Sequence, residues 1–292
     1  MNLNSNALMA LAAALAWGGG DFSGGMGVKA SGGTARAALR FVLLTHLASF
    51  AVLAGIVLVA HEPLPHGAAL GWGLLAGVAV AGSLTAFYIA LSRGEMGVSA
   101  AISGLLAAAI PAVVSTLLEG TPGVLKLAGF SLALVAIWVI AAGPSPENTG
   151  GRGTLGLAVL AGVGFGIYFV ALRMANPLGV VMPTALARAG SLMTCGVMLL
   201  VLRVGGSERR SAWRLGRLAM GWAMSAAVLD TGGNLLFVGA TRQGRLDVAA
   251  VLGSLYPAGT ILLAAWRLHE RPTRRQFVGM ALAIVAVVMI TL

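Results

Sequence analysis

The stretch from Asp247 to Pro272, DVAAVLGSLYPAGTILLAAWRLHERP, decides the fold of this chain. It is an apolar segment long enough to cross a bilayer, which takes roughly 20 residues in a helix. Tyr256 and Pro257 interrupt it, and Glu270 and Pro272 close it. Because proline cannot donate to the hydrogen-bond ladder of a helix, the sequence predicts a membrane helix that is broken at Pro257.

A second stretch, from Val98 to Pro122, repeats this pattern. Its sequence, VSAAISGLLAAAIPAVVSTLLEGTP, has an alanine pair, a glycine, a glutamate and a proline in the same order. The next helix repeats too, since FSLALVAIWVI from Phe130 matches MALAIVAVVMI from Met280. A period this long indicates two homologous halves rather than a solenoid. We predict one membrane domain made of residues 1–145 and 146–292.

The composition excludes a soluble protein. Hydrophobic residues make up 58% of the 292 and charged residues 10%, with a mean hydropathy of +0.92, against about 45–50% and about 25% in soluble domains. The net charge of +10 does not indicate a nucleic-acid partner, because the basic residues are scattered between apolar spans. The single cysteine excludes an intrachain disulfide, and no motif indicates a cofactor or metal.

Apolar stretches of membrane-spanning length recur along the chain, and the fold class they predict is an all-α integral membrane protein. Five spans in each half make the halves enter the membrane from opposite sides, as inverted-topology repeats do in secondary transporters. The ten predicted transmembrane helices cover residues 6–28, 34–60, 68–91, 98–118, 124–142, 154–175, 183–204, 217–240, 247–266 and 275–292.

The distribution of basic residues predicts an orientation in the cell's inner membrane. Thirteen lysines and arginines fall in loops after odd-numbered spans and four in the other loops. The positive-inside rule therefore assigns the odd loops to the cytoplasm and both termini to the outside. The sequence does not distinguish a monomer from an oligomer.

Several paired motifs resemble the EamA-type, ten-helix branch of the drug/metabolite transporter superfamily. They are an aromatic-glycine motif in each half (AWGGGDFSGG from Ala16 and GVGFGIYF from Gly162), Arg40 and Arg188 in the second spans, and the terminal Glu-x-Pro or Glu-x-x-Pro. The resemblance implies export or exchange of amino acids and other small metabolites, and one branch exports aromatic amino acids. Two features depart from the pattern: Pro111 is out of register with Pro257, and the chain lacks basic terminal tails.

Five charged or histidine residues lie inside the spans and away from their ends. A charged residue costs roughly 2.5–3.5 kcal/mol at the helix centre and needs a partner, water or a function. The five are Asp21, Arg40, His46, Arg188 and Asp230. Since Asp21 and Asp230 are the only acids among them, protons are a candidate coupling partner. An isolated histidine such as His46 is typical of a hydrogen-bonded interior residue.

Asp21 and Asp230 are predicted to contact substrate. Asp21 shares a helix face with Trp17, four residues earlier, beside three glycines. The alternative for Asp21 is an ion pair near the membrane surface with Lys29 or Arg36. Asp230 has Asn234 one turn on, and its alternative is a structural pair with Arg40 or Arg188.

The remaining candidates divide into aromatic cavity walls and structural or gating residues. Trp17, Phe165, Tyr168 and Tyr256 lie where inverted repeats form their site. Aromatic walls suit an apolar or aromatic ligand. Matching positions in the two halves favour structural roles for Arg40 with Arg188 and for Glu119 with Glu270, and Pro257 breaks its helix.

These features predict a secondary transporter, not an enzyme, that exports small metabolites by alternating access. The resemblance implies amino acids, aromatic or apolar, as the leading substrate class, and the site is predicted between spans 1, 3, 4, 6, 8 and 9. Drug-like cations, sugars and nucleotide derivatives are the alternatives. The sequence has no catalytic or metal motif that would indicate a membrane-embedded enzyme, and it has no charged rings or filter loop that would indicate a channel.

Overall fold

The computed structural model describes residues 3–93, 96–141, 152–204, 216–268 and 273–291. Every regular element in these ranges is a helix. The first half of the chain contributes α1 (Leu3–Ala30), α2 (Ala35–Val59), α3 (Gly67–Arg93), α4 (Met96–Glu119) and α5 (Val124–Ala141).

The second half begins with α6 and includes one short 3₁₀ turn at Asn176–Leu178, before α7. Its α-helices are α6 (Arg152–Met174), α7 (Val181–Val204), α8 (Arg217–Gln243), α9 (Leu246–Gly253), α10 (Tyr256–Leu268) and α11 (Arg274–Thr291). Each predicted span coincides with one helix, except the ninth, which coincides with α9 and α10.

Apolar helices of membrane-spanning length dominate the described part of the chain, which confirms the all-α membrane class. Seven candidate spans are long and apolar enough to cross a bilayer, with α9 and α10 counted together, and two shorter apolar helices lie within α5 and α11. The α1 helix is not among the seven, because its glycines and Asp21 lower its hydropathy.

The helical segment that contains Asp247 is interrupted shortly before Pro257. Residues 254 and 255 separate α9 from α10, and Pro257 is the second residue of α10. Proline has no N–H to give to the carbonyl of Gly253, and it fits well in the first turn of a new helix. Pro111, in contrast, lies inside the continuous helix α4.

The helices of the two halves pack against each other rather than forming separate bundles. The most extensive contacts join α1 with α8, α5 with α11 and α3 with α6. Close approach also occurs between α3 and α7, where a Cβ at Gly77 would lie 2.3 Å from the carbonyl oxygen of Ala187. Gly190 faces the same contact, since a Cβ there would lie 2.5 Å from the carbonyl oxygen of Leu74. These glycines allow backbone-to-backbone packing.

Candidate functional site

One small cavity lies where α1, α3, α6, α8 and α10 meet. All seven residues predicted to contact substrate line it: Trp17, Asp21, Phe165, Tyr168, Asp230, Asn234 and Tyr256. Val80, Leu84 and Phe169 complete the lining. The helices of this lining come from both halves of the chain. The predicted fourth span contributes no lining residue among those described.

The cavity is nearly closed. Its volume is about 20 Å³, which is enough for about one water molecule. Ligand pockets usually measure roughly 300–1,000 Å³. A metabolite therefore cannot enter unless the helices that form the cavity move apart.

Aromatic rings form one wall of the cavity. Trp17 on α1 stacks on Phe169 of α6 with ring centroids 5.1 Å apart and planes inclined by 17°. Phe169 in turn contacts Phe237 of α8 at 4.6 Å. Gly233 lets the indole of Trp17 lie against α8, because a Cβ there would be 2.7 Å from the ring nitrogen. The wall thus depends on a tight contact between the two halves.

Asp230 reaches the cavity while paired with a fully buried arginine. Arg188, on α7, donates to the Asp230 carboxylate at 2.5 Å, and its side chain is 0% exposed. It also donates to Ser49 Oγ at 3.0 Å and to His46 Nε2 at 3.0 Å, both on α2. Arg188 therefore joins α2 and α8 behind the cavity wall. Of the two partners predicted for Asp230, Arg188 is the one that forms the ion pair.

His46 extends this network as a neutral residue. A guanidinium can only donate hydrogen bonds, so the Nε2 atom that accepts from Arg188 carries no proton. Nδ1 then bears the hydrogen and donates to Ser191 Oγ at 2.6 Å. His46 is buried and does not line the cavity, in agreement with its interpretation as an interior residue.

Two tyrosines are held in the cavity wall by hydrogen bonds. The Tyr168 hydroxyl donates to Asn234 Oδ1 at 2.8 Å, and Asn234 Nδ2 donates to the Asp230 carbonyl at 2.7 Å. The Tyr256 hydroxyl shares a 2.6 Å hydrogen bond with Ser103 Oγ on α4. The α4 helix, predicted to line the site, instead contacts a lining residue through this hydrogen bond.

Asp21 differs from Asp230 in having no partner. It is 8% exposed and lines the cavity, and among the described residues no hydrogen bond or ion pair reaches its carboxylate. The structure thus excludes the alternative pairing with Lys29 or Arg36. Asp21 is a buried carboxylate facing the cavity without a neutralising group.

The structural and gating candidates lie outside the cavity. Arg40 is partly buried on α2, and Pro257 begins α10 beside Tyr256. Glu119, at the end of α4, accepts from Arg173 of α6 at 2.9 Å and from the backbone N–H of Leu246 at 3.0 Å. Glu270 lies outside the described residues.

Basic residues surround Glu119 and tie together the ends of α4, α6 and α8. Arg245 donates to the carbonyls of Glu119 and Gly120 and to the Asp247 carboxylate. Hydrogen bonding to Asp247 raises the pKa of Arg245. A surface groove of about 560 Å³ opens beside this cluster, lined by Leu118, Glu119, Arg173, Met174, Asn176, Pro177 and Arg242. Although it is larger than the cavity, it contains none of the residues predicted to contact substrate.

Sequence reasoning missed three lining residues. Phe169 had a usable signal, because it lies four residues after Phe165 and so shares its helix face. Val80 and Leu84 are also four apart, but they sit in a uniformly apolar helix that offers no contrast.

Comparisons with known proteins agree with this fold. The model of the EamA-like transporter family matches residues 153–292. No curated protein sequence matches the chain. A solved crystal structure resembles this fold with a TM-score of 0.74 at 17% sequence identity. The alignment covers 99% of this chain and 98% of that one, and at this identity it shows the fold alone. The second half of the chain therefore matches the EamA-like transporter family, in the drug/metabolite transporter superfamily.

Proposed function

We propose that this protein is a secondary transporter that exports small metabolites, foremost aromatic or apolar amino acids, by alternating access. One observation carries the proposal: residues from helices of both halves converge on a single buried cavity with aromatic walls and two carboxylates. Such a site suits a ligand with an apolar body and a polar head. The match to a transporter family supports carriage rather than catalysis.

The architecture behind the proposal is ten transmembrane helices in two inverted five-helix repeats, residues 1–145 and 146–292. In two such repeats α1 corresponds to α6, and α3 corresponds to α8. The packing supports this relation, because the contact of α1 with α8 has its counterpart in the contact of α6 with α3. In this arrangement α9 and α10 together form one broken span. The charge bias of the loops favours an inner-membrane location with both termini outside.

Alternating access requires one route to the cavity to close while the other opens. The Glu119 cluster is suited to closing one end, since it joins α4 of the first half to α6 and α9 of the second. The cavity of about 20 Å³ corresponds to a closed state. We assign Glu119 and Arg173 to this gate.

Proton coupling, if present, would use the cavity acids. Asp230 is neutralised by Arg188, whereas Asp21 has no partner among the described residues. Protonation is therefore more favourable at Asp21 than at Asp230. Concentrative transport that survives both Asp21→Asn and Asp230→Asn would exclude coupling through either acid.

Counterflow in proteoliposomes tests the proposed function. Vesicles preloaded with unlabelled amino acid should take up a labelled amino acid from a panel, with saturation and with or without a pH gradient. Linear, unsaturable flux would indicate a channel, and absence of flux for the whole panel would argue for another substrate class, such as sugars or nucleotide derivatives.

A matched pair of tryptophan variants links the flux to the cavity. Trp17→Phe alters a cavity wall, whereas Trp138→Phe alters a side chain that is 60% exposed on α5. We expect the first to raise the half-saturating concentration and the second to leave it unchanged. Equal effects of the two variants would place the transport site elsewhere.

A further inference from the structure

The charges around the cavity do not balance. Two carboxylates, Asp21 and Asp230, line it. Arg188 neutralises Asp230 from behind the wall, and His46 is neutral because its Nε2 accepts a hydrogen bond from Arg188. Among the described residues no cation pairs with Asp21, so the site carries one uncompensated negative charge whenever Asp21 is ionised.

An unpaired carboxylate buried inside a protein is costly, and a cation that binds beside it offsets part of that cost. The titratable groups that share the cavity lining with Asp21 offer no such cation: they are Asp230 on α8, Tyr168 on α6 and Tyr256 on α10. Tyr88 of α3 packs against Gly24, three residues further along α1. Tyr256 also shares its hydroxyl with Ser103. The neutralising charge must therefore come from a proton or from a cationic ligand, and the two compete for the same carboxylate.

The rest of the lining suits an organic cation. Trp17 lies four residues before Asp21 on α1, and Phe165, Phe169 and Tyr256 complete an aromatic surround. The faces of aromatic rings attract alkylammonium groups, most strongly when water is excluded. Arg188, which could have received a ligand carboxylate, is 0% exposed and already bonded to Asp230, Ser49 and His46.

We infer that Asp21 is the counter-ion for the ammonium group of the ligand, and that the cavity selects singly charged amphipathic amines without needing a carboxylate. This inference rests on the proposed function, since it names the substrate chemistry of the same cavity. A decarboxylated aromatic amine or a quaternary ammonium should bind more tightly than the corresponding amino acid, and an aromatic carboxylate should not bind.

Titration calorimetry on the detergent-purified full chain tests the inference with three probes: benzyltrimethylammonium, phenylalanine and phenylacetate. We expect the strongest binding for the quaternary ammonium and none for phenylacetate. Asp21→Asn should weaken binding of the quaternary ammonium roughly 10- to 100-fold, the range for a charged contact. Glu62→Gln, in the loop between α2 and α3, is the matched control and should change it less than about twofold.

Thermal unfolding of the same variants separates a binding role from a structural one. Asp21→Asn removes an uncompensated charge, so it should unfold at the same or a higher temperature than the wild type, and its lost binding then cannot be ascribed to misfolding. Unchanged binding in Asp21→Asn, or tighter binding of phenylacetate than of the quaternary ammonium, overturns the inference. If amino-acid counterflow persists in that case, the proposed transport function stands; absence of both binding and flux in the wild type would reject the function itself.

Discussion

Replacing Arg188 with methionine should be among the most destabilising single changes in the chain. The side chain is fully buried and joins three residues of two other helices: Asp230 at 2.5 Å, Ser49 at 3.0 Å and His46 at 3.0 Å. Methionine fills a similar volume but leaves the Asp230 carboxylate without its partner. Removing one member of a buried ion pair costs about 3–5 kcal/mol, so we expect a loss of that size in the free energy of unfolding.

Denaturation in mixed micelles, followed by tryptophan fluorescence, measures this loss. Arg93→Met is the matched control, because Arg93 is exposed and, within the described part of the chain, donates one 3.3 Å hydrogen bond, to the Gly33 carbonyl. It should cost less than about 1 kcal/mol.

A second substitution identifies the cause of the loss. Adding Asp230→Asn to Arg188→Met removes the unpaired charge, so the double variant should be more stable than Arg188→Met alone. The non-additivity should exceed about 1 kcal/mol, as expected for residues in direct contact. The reasoning fails if Arg188→Met costs no more than Arg93→Met, or if the two substitutions are additive.

Two further predictions concern helix packing and the gate. In Gly77→Ala the added Cβ would lie 2.3 Å from the Ala187 carbonyl oxygen, so this variant should lower the stability by about 1–3 kcal/mol in the same denaturation assay. Gly82→Ala on the same helix has open space and should be neutral or stabilising. Equal values for both variants would contradict the close packing of α3 and α7. Glu119→Gln weakens the part-exposed contact with Arg173 and should raise the counterflow rate while changing stability by less than about 1 kcal/mol, so a slower rate would contradict its assignment to the gate.

The cavity could be predicted from the sequence because charged and aromatic residues contrast with apolar spans. Asp21 and Asp230 were candidates because burial of a charge is costly. The i, i+4 spacing from Trp17 to Asp21 indicated that both side chains lie on the same face of α1. The sequence left the partner of Asp230 open between Arg40 and Arg188, since the choice depends on how α7 and α8 meet across the bundle. No local pattern records that contact.

The broken helix was only partly predictable. Pro257 and Pro111 both lie in apolar spans, but only the segment containing Pro257 is divided in two. Neighbouring helices can accommodate a proline within a membrane helix, so its effect depends on packing that the sequence does not reveal. The isolation of Asp21 was equally hidden, because Lys29 and Arg36 are near it in the chain, yet among the described residues no ion pair reaches its carboxylate.

Cysteine accessibility at Leu84 tests the central claim, that this cavity is reached alternately from both sides of the membrane. Leu84 lines the cavity without taking part in its charge network, and the chain's single cysteine, Cys195, is buried and can be replaced by serine. Leu84→Cys is exposed to a membrane-impermeant maleimide in right-side-out and inverted vesicles, with Ala136→Cys, buried on α5, as the control. We predict labelling of Leu84→Cys from both faces, slowed by substrate, and none of Ala136→Cys. Labelling from neither face, or from one face alone, would contradict the claim.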